Sequence, residues 1–151
     1  MEEKIFDSLK LENQICFPLY AASREVVKLY RPHLDALNLT YTQYIAMMVM
    51  WEEKQCSVKE LGKRLYLDSG TLTPVLKSLE QKGYVRRFRM EDDERVMLTE
   101  ITDKGEELRE KAKEVPPKVG CRFLLSIEDS IELYRLLYTL LGNINGKNAS
   151  D

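Results

Sequence analysis

Histidine and cysteine are scarce in this sequence of 151 residues, which contains one histidine and three cysteines. The cysteines, Cys16, Cys56 and Cys121, are far apart and odd in number, and the sequence has no Cys-x-x-Cys motif. This pattern does not fit the disulfide framework of a secreted protein, and it provides no zinc site. We therefore expect a cytoplasmic protein without a metal or other cofactor, in which cysteine is ordinarily a thiol.

Long hydrophobic runs are also missing from the sequence. The longest has seven residues, from Ile45 to Trp51, whereas a membrane-spanning helix needs about 20. The acidic N-terminal residues Met-Glu-Glu-Lys lack the apolar core of a signal peptide. With 44% hydrophobic residues the chain can bury a core. We expect one globular domain, residues 1–151, that does not associate with membranes.

The net charge is close to zero, at −2, but the charges are unevenly distributed. The segment from Lys59 to Arg89 contains eight basic and three acidic residues, and the rest of the chain is acidic. A basic segment between acidic ends is typical of a surface that binds a polyanion. Taken alone, however, a charged and solvated helix face explains the same composition more simply.

Three short helices are predicted in the middle of the chain. The sequences Thr40-Tyr-Thr-Gln43 and Ser57-Val-Lys-Glu60 have the spacing of capping boxes, which begin helices. A third helix follows the N-cap formers of residues 68–71 and ends near Gly83. Because a tight polar turn joins the last two helices, the pattern is typical of a helix-turn-helix motif.

A β-hairpin is predicted directly after the third helix. Residues 84–89 and 96–101 are rich in β-forming residues, and a charged turn separates them. A helix-turn-helix followed by a hairpin is a winged helix. The sequence thus predicts a mainly α fold with a small β-hairpin, and a winged helix-turn-helix over residues 40–105.

Both flanks of the winged helix have helical spacing and are predicted to be dimerisation helices, over residues 5–35 and 106–145. In the first flank a helix is predicted from Ser8 to Tyr30, and Pro18 must kink or restart it, because proline lacks the backbone N–H. In the second, a helix begins at Thr102 and is interrupted by two prolines at 116 and 117. The last helix is predicted from about Ile127 to Leu141. It has a coiled-coil-like seam, formed by Ile127, Ile131, Tyr134, Tyr138 and Leu141. Residues 146–151 are expected to form a disordered polar tail.

Candidate DNA contacts follow from the helix-turn-helix geometry, in which the second helix places its N-terminal residues in the major groove. Lys63 and Arg64, on the preceding helix, are expected to contact the DNA backbone. In the hairpin, Arg95 is expected to enter the minor groove, oriented by an ion pair with Asp93. The acidic neighbours of Arg95 predict a modest salt dependence. The remaining candidates are Asp68, Ser69, Thr71, Thr73, Pro74, Lys77 and Arg87.

The hairpin sequence resembles a known family. Asp93-x-Arg95 followed by Ile101-Thr102-x-x-Gly105 is similar to the wing signature of the MarR transcriptional regulators, which usually have leucine at the position of Ile101. Residues 11–24, 39–44 and 65–74 resemble the organic-hydroperoxide-sensing branch, OhrR. The resemblance covers roughly residues 11–105. It implies a homodimeric repressor that binds a pseudo-palindromic operator in double-stranded DNA and responds to organic hydroperoxides.

The same resemblance implies a role for Cys16. By composition alone, a cysteine between Ile15 and Phe17 would be a small buried hydrophobic residue. In OhrR-like proteins, however, the cysteine at this position is a peroxide-reactive thiolate. Tyrosines matching Tyr30 and Tyr41 reach it across the dimer, and one matching Tyr20 lies nearby. Pro18 departs from the family. It is expected either to move Cys16 towards a helix start, where anions are stabilised, or only to kink the helix.

Cys121 is interpreted by the same resemblance. A two-cysteine subgroup of OhrR-like proteins has a resolving cysteine between the wing and the last helix, and Cys121 fits that place. The resemblance implies an intersubunit disulfide between Cys16 and Cys121. The alternatives are a mixed disulfide with a small thiol, as in a single-cysteine subgroup, or a structural role for Cys121. Cys56 and His33 are expected to be incidental.

Two other functions remain as alternatives. The chain could be a MarR-type repressor released by a phenolic or aromatic ligand, with Cys16 passive. It could also be a thiol peroxidase. The sequence has no nucleotide-binding loop, no Ser/His/Asp set and no recycling Cys-x-x-Cys motif, so we expect that the protein is not an enzyme.

Overall fold

The computed structural model describes residues 7–146, in which helices predominate and three short strands form one sheet. A 3-10 turn at Leu11–Asn13 precedes the first helix. The helices within the described residues are α1 (Cys16–Asp35), α2 (Tyr41–Glu53), α3 (Val58–Leu65), α4 (Ser69–Gln81), α5 (Asp103–Ala112), α6 (Val115–Gly120) and α7 (Ile127–Gly146). The strands are β1 (Gln55–Ser57), β2 (Val85–Arg89) and β3 (Met97–Ile101).

The predicted helix starts of the helix-turn-helix region are confirmed by their caps. Thr40 and Ser57 each accept a hydrogen bond from the third residue of the following helix, and the side chain of that residue accepts one from the cap residue. The carboxylate of Asp68 accepts from the N–H of Thr71 at 2.7 Å and caps α4. Gly83, with φ of +82°, follows the end of α4 in the left-handed conformation that glycine adopts without strain.

The core of the winged helix consists of apolar side chains from α2, α3 and α4. Leu61, Leu72, Leu76 and Leu79 have no exposed surface, and Met47 of α2 is equally buried. Burying each such side chain stabilises the fold by about 1.5–3 kcal/mol. This packing holds the two helices of the helix-turn-helix in a fixed relation to each other.

The sheet contains a strand that the sequence reasoning missed. The predicted hairpin is confirmed to within one residue, as β2 and β3 pair antiparallel. On its other edge β3 also pairs antiparallel with β1, so that the strand order is β1-β3-β2. β1 has three residues, too few for a recognisable alternation, and its last residue is also the cap of α3.

The first flanking helix differs from the prediction. A helix was expected from Ser8 to Tyr30, but α1 begins at Cys16 and continues to Asp35. Pro18 is the third residue of α1, where the N–H has no acceptor within the helix, so proline fits there without a kink. The restart of the helix that Pro18 implied is therefore confirmed, with Cys16 at its first position.

The helix expected after Thr102 is also confirmed, although it ends earlier than predicted. The hydroxyl of Thr102 accepts from the N–H of Gly105 at 3.1 Å and caps α5. The interruption falls between α5 and α6, and the two adjacent prolines lie in the first turn of α6. Proline is tolerated at that position, because the first residues of a helix donate no intrahelical bond.

Contacts divide the chain into two compact units, one ending at Val119 and the other beginning at Gly120. The second unit contains α7, which is five residues longer than predicted. Gly146, assigned by the sequence reasoning to the disordered tail, is the last residue of this helix. Residues 147–151 lie outside the described part. No helix among residues 7–146 is long and apolar enough to cross a membrane.

Apolar side chains are exposed along α7 on more than one face, and no residue of this helix is buried. Ile131 and Tyr134 of the predicted seam are each about two-thirds exposed. A second stripe, which was not predicted, consists of Leu133, Leu136 and Leu140. A helix that is apolar on most sides is normally covered by other parts of a protein.

Candidate functional site

The N-terminal half of α4 presents five of the residues predicted to contact DNA. These residues are Ser69, Thr71, Thr73, Pro74 and Lys77, and all are exposed. At the cap, the N–H of Thr71 holds the pKa of Asp68 below its ordinary value, so the carboxylate stays charged and keeps the helix start in place.

Pro74 gives the first turns of α4 an unusual pattern of backbone groups. Proline has no N–H to donate to the carbonyl of Gly70, four residues earlier in α4. The hydroxyl of Thr73 donates to the carbonyl of Ser69 at 2.7 Å. The exposed end of α4 therefore offers hydroxyl and carbonyl oxygens side by side, which suits contacts with base edges.

The hairpin places an arginine at its tip. The guanidinium of Arg95 donates to Asp93 through Nε at 3.0 Å and through a second nitrogen at 3.3 Å. The backbone N–H of Arg95 also donates to Asp93. These bonds hold the pKa of the Asp93 carboxyl below its ordinary value. The predicted ion pair is present, and Arg95 is held in one direction while its side chain remains 91% exposed.

A groove of about 730 Å³ lies between the start of α4 and the hairpin. Five of the predicted DNA-binding residues line it: Asp68, Ser69, Thr73, Arg87 and Arg95. Two further basic residues, Lys59 and Arg89, also line the groove and were missed by the sequence reasoning. The spacing of Arg87 and Arg89 was the available signal, because alternate residues of a strand lie on one face.

Two of the predicted basic contacts are held by acidic partners within the chain. The guanidinium of Arg64 donates to Glu53 at 2.7 Å and to Glu52 at 2.9 Å. Arg87 pairs with Glu80, and its side chain is 19% exposed. The ion pair of Arg87 with Glu80 therefore links β2 to α4. Lys63 and Lys77, the other predicted basic contacts on the helix-turn-helix, are exposed.

Cys16 is the exposed first residue of α1. The positive end of the helix dipole lies at this terminus. Tyr20, one turn later on the same face of α1, is 60% exposed. The guanidinium of Arg24 lies 5.5 Å from the centre of the Tyr20 ring. Sulfur, phenol and guanidinium therefore follow one another along an exposed face of α1.

Three tyrosines form a cluster at the other end of α1. The rings of Tyr30 and Tyr41 are 5.0 Å apart, and Tyr44 lies 5.7 Å from the first and 6.3 Å from the second. Burial raises the pKa of all three phenols. Burial raises the pKa of Tyr44 the most, to about 12, and the neighbouring phenols of Tyr30 and Tyr41 add to the shift. The sequence reasoning missed Tyr44, although its position three residues after Tyr41 places both on one helix face.

The structure does not bring Cys16 and this tyrosine cluster together within one chain. Cys16 and Tyr30 are fourteen residues apart on the same continuous helix. At 1.5 Å per residue this spacing corresponds to about 21 Å along the helix axis. A contact between Cys16 and these phenols therefore requires a second copy of the chain.

The other two cysteines have different surroundings. Cys121 is exposed in the segment between α6 and α7. Cys56 is half-buried in β1, with its sulfur 3.9 Å from the sulfur of Met50. Burial, together with Glu60 and Glu53, raises the pKa of Cys56 and disfavours its thiolate. No group of three or more potential metal ligands occurs among residues 7–146.

Comparison with known proteins places this arrangement in a family. A family model described as transcriptional regulator SarA/Rot matches residues 28–112, which is more than half of the chain. An organic hydroperoxide resistance transcriptional regulator of Bacillus subtilis is 51% identical over 148 residues, covering 98% of this chain and 100% of that protein.

Solved structures of related proteins include complexes with DNA. AbfR of Staphylococcus epidermidis, reduced and bound to DNA, has a TM-score of 0.74 at 32% identity, covering 91% of this chain and 96% of AbfR. A disulfide form of AbfR has a TM-score of 0.62 at 34% identity, with 89% and 94% covered. A MarR variant from E. coli with operator DNA shares the fold, with a TM-score of 0.74 at 24% identity over 82% and 90% of the two chains. This chain therefore belongs to the MarR-type winged-helix transcriptional regulators and, among them, to the organic hydroperoxide resistance regulators.

Proposed function

We propose that the protein is a dimeric cytoplasmic repressor that binds a pseudo-palindromic operator when reduced and releases it when an organic hydroperoxide oxidises Cys16. The observation that carries this proposal is the position of Cys16, exposed at the first residue of α1. The high identity to the Bacillus subtilis regulator supports the same effector. The DNA-bound forms of AbfR support operator DNA as the partner.

In the DNA complex, α4 of each subunit enters the major groove of one half-site. Ser69, Thr71 and Thr73 face base edges and phosphates, while Lys63 and Lys77 contact the DNA backbone. Arg95 enters the adjacent minor groove, where the negative potential is strongest. Arg64 and Arg87 act mainly within the chain, because each pairs with an acidic residue of another element and its side chain is less than half exposed, unlike that of Arg95.

Oxidation begins when the thiolate sulfur of Cys16 attacks the terminal oxygen of the hydroperoxide. A sulfur–oxygen bond forms as the oxygen–oxygen bond breaks, and the departing alkoxide takes a proton from water and becomes an alcohol. The sulfur is oxidised to a sulfenic acid and the peroxide is reduced. Tyr30 and Tyr41 of the second subunit donate hydrogen bonds to the thiolate. Burial raises the pKa of both phenols above the ordinary value of 10.0, so both are protonated at neutral pH and can donate.

Cys121 of the other subunit then resolves the sulfenic acid. Its thiolate attacks the sulfur of Cys16, a disulfide bond forms, and hydroxide leaves and is protonated to water. The disulfide form of AbfR supports this second step for a relative at 34% identity. Two such disulfides in each dimer would pull the terminal helices and move the two α4 helices out of register with the half-sites.

The first test is DNA binding to the segment upstream of the protein's own gene. We expect tight binding by the reduced protein, loss of binding after about one equivalent of cumene hydroperoxide per Cys16, and recovery with dithiothreitol. Cys16→Ser should bind DNA and ignore the peroxide, whereas Cys56→Ser should behave as the wild type. If the peroxide also releases Cys16→Ser from the DNA, the proposal is refuted. If an aromatic acid, and not the peroxide, releases the wild-type protein from the DNA, the ligand-binding alternative is favoured.

The second test concerns the resolving step. Wild-type protein treated with peroxide should run as a covalent dimer on non-reducing gels, and Cys121→Ser should not. An unchanged covalent dimer in Cys121→Ser would refute the role of Cys121. A mixed disulfide with a small thiol, detected by mass spectrometry on Cys16 of the wild type, would assign the protein to the single-cysteine subtype.

A further inference from the structure

Trp51, the single tryptophan of the sequence, connects two parts of the winged helix. It lies near the end of α2 and is 7% exposed. Its indole N–H donates to the carbonyl of Gly105 at 2.9 Å, a buried bond between residues 54 positions apart. The edge of its ring contacts Tyr44 at a centroid distance of 6.4 Å. Both contacts depend on the orientation of the indole.

Gly105, the partner of Trp51, is fixed closely against the base of the hairpin. A Cβ atom at this position would lie 2.3 Å from the carbonyl oxygen of Tyr84, just before β2. The N–H of Gly105 is bound by Thr102, the cap of α5. The indole of Trp51 is therefore attached to backbone that cannot shift without moving the start of β2 or of α5.

These contacts form a continuous line, which we call the aromatic column and define as Tyr30, Tyr41, Tyr44, Trp51 and the carbonyl of Gly105. Tyr44 is 3% exposed and occupies the middle, in contact with both Tyr30 and Tyr41 on one side and with Trp51 on the other. One end of the column is formed by the phenols assigned to the thiolate of a second subunit. The other end lies at the junction of the hairpin and α5.

We propose that Tyr44 and Trp51 are positioning residues of the peroxide response. Tyr44 holds the phenols of Tyr30 and Tyr41 in the orientation that suits the thiolate, and Trp51 transfers a displacement of these rings to the hairpin through Gly105. This inference rests on the proposed role of Tyr30 and Tyr41. Close-packed rings cannot move independently, so a shift at one end must be accommodated along the column.

The orientation of the phenols gives the first readout. Tyr44→Leu removes the ring against which Tyr30 and Tyr41 pack, so oxidation of Cys16 by cumene hydroperoxide should slow by about tenfold and its pH profile should shift. Tyr44→Phe retains the ring and should restore both the rate and the profile. A rate in Tyr44→Leu equal to that of the wild type would overturn this half of the proposal.

The second readout is the fluorescence of Trp51, which can be measured in the wild-type protein without any substitution near this residue. Its fluorescence should change at the same rate as Cys16 is oxidised in wild-type protein without DNA, and should not change in Cys16→Ser. A displacement of the indole changes its contact with the Tyr44 ring and the polarity of its surroundings, which alters its emission. If oxidised protein releases DNA while the emission of Trp51 stays constant, the transfer through Trp51 is refuted.

The third readout separates transfer from stability. Trp51→Phe keeps an aromatic ring but lacks the N–H, so Cys16 should be oxidised at the wild-type rate while the oxidation-dependent loss of DNA affinity falls by about tenfold. The matched control is Lys54→Ala, which removes an exposed ion pair between the end of α2 and Glu106 of α5 and should leave this loss unchanged. The proposal would be overturned if oxidation lowered the DNA affinity of Trp51→Phe as much as that of the wild type. It would also be overturned if Lys54→Ala weakened this effect of oxidation as much as Trp51→Phe does.

A separate pair of variants tells failure of this inference from failure of the proposed function. Tyr30→Phe and Tyr41→Phe remove the phenols without removing the rings, and both should slow the oxidation of Cys16. If they leave the rate unchanged, the proposed role of these tyrosines is wrong. If Tyr30→Phe and Tyr41→Phe slow the oxidation of Cys16 but Tyr44→Leu does not, the proposed role of Tyr30 and Tyr41 is supported and Tyr44 has no positioning function.

Discussion

At the scale of single residues, Tyr44 shows what the sequence pattern conveys and what it omits. The spacing from Tyr41 places both residues on one face of α2, but burial and ring contacts depend on α1, which is distant in sequence. A periodic pattern cannot show which of several apolar faces packs against which partner. For the same reason the sequence predicted the ion pair of the neighbours Asp93 and Arg95, but not that of Arg64 with Glu52.

The raised pKa of Tyr44 predicts a loss of stability at high pH. Its pKa is about 12 in the folded protein against an ordinary value of 10.0, so the folded state binds the phenolic proton more tightly. The resulting stabilisation is present below about pH 10 and is lost as the pH rises towards 12. In urea unfolding experiments between about pH 10 and pH 12, the free energy of unfolding of Tyr44→Phe should fall less with pH than that of the wild type. Tyr20→Phe, which alters an exposed phenol, should decline as the wild type does.

Asp93 and Glu91 at the hairpin tip predict opposite effects of removing one negative charge. Asp93→Ala frees Arg95 from its orientation, and operator affinity should fall by about tenfold, or about 1.4 kcal/mol. Glu91→Ala removes an exposed carboxylate beside the DNA and should raise the affinity slightly. Fluorescence anisotropy with operator DNA measures both. A rise in affinity for Asp93→Ala would show that its charge matters more than its contact with Arg95.

At the scale of elements, a buried polar clamp joins α2 to the recognition helix α4. The side-chain oxygen of Gln43 accepts from Lys82 at 2.9 Å, and its amide nitrogen donates to the hydroxyl of Ser78 at 3.0 Å. Lys82 also donates to the carbonyl of Asn38, and burial lowers its pKa. The capping box predicted the local bond of Gln43 with Thr40. It could not predict the contacts with α4, because these depend on how the two helices pack.

The clamp predicts the effect of truncating Gln43. Gln43→Ala removes the partner of the half-buried Ser78 hydroxyl and one of the two partners of Lys82, so the free energy of unfolding should fall by about 1–3 kcal/mol. Gln81→Ala, at an exposed position near the end of α4, serves as the matched control and should change it little. Thermal unfolding of the two variants gives the comparison. If Gln43→Ala and Gln81→Ala were equally stable, water would replace the hydrogen bonds of Gln43 with no loss in the free energy of unfolding.

At the scale of the whole molecule, the sequence established the order of elements better than their ends. The caps Thr40, Ser57 and Asp68 marked three helix starts correctly, because capping is a local interaction. The end of α7 was placed too early because the predicted seam ended at Leu141, while the helix continues. The predicted seam also did not include the second exposed stripe of Leu133, Leu136 and Leu140, because the spacing that was used defines only one face of the helix.

The exposed seam of α7 predicts that dimerisation is sensitive to charge there. Ile131→Glu places a carboxylate on the predicted interface and should shift the dimer towards the monomer in sedimentation velocity experiments. Thr139→Glu introduces the same charge on the exposed polar side of α7 and should leave the dimer intact. If Ile131→Glu remains as dimeric as Thr139→Glu, the seam does not contribute to the interface.

The length of α1 has a genetic consequence. A thiol and phenols at opposite ends of one helix cannot meet in a single chain, so the proposed peroxide site needs two copies of the chain. An allele encoding Cys16→Ser and an allele encoding Tyr30→Phe would each impair the response alone. Expressed together, they would form mixed dimers in which the intact thiol of one chain meets the intact phenols of the other. Complementation between the two alleles would restore one complete site per mixed dimer, and with it part of the response.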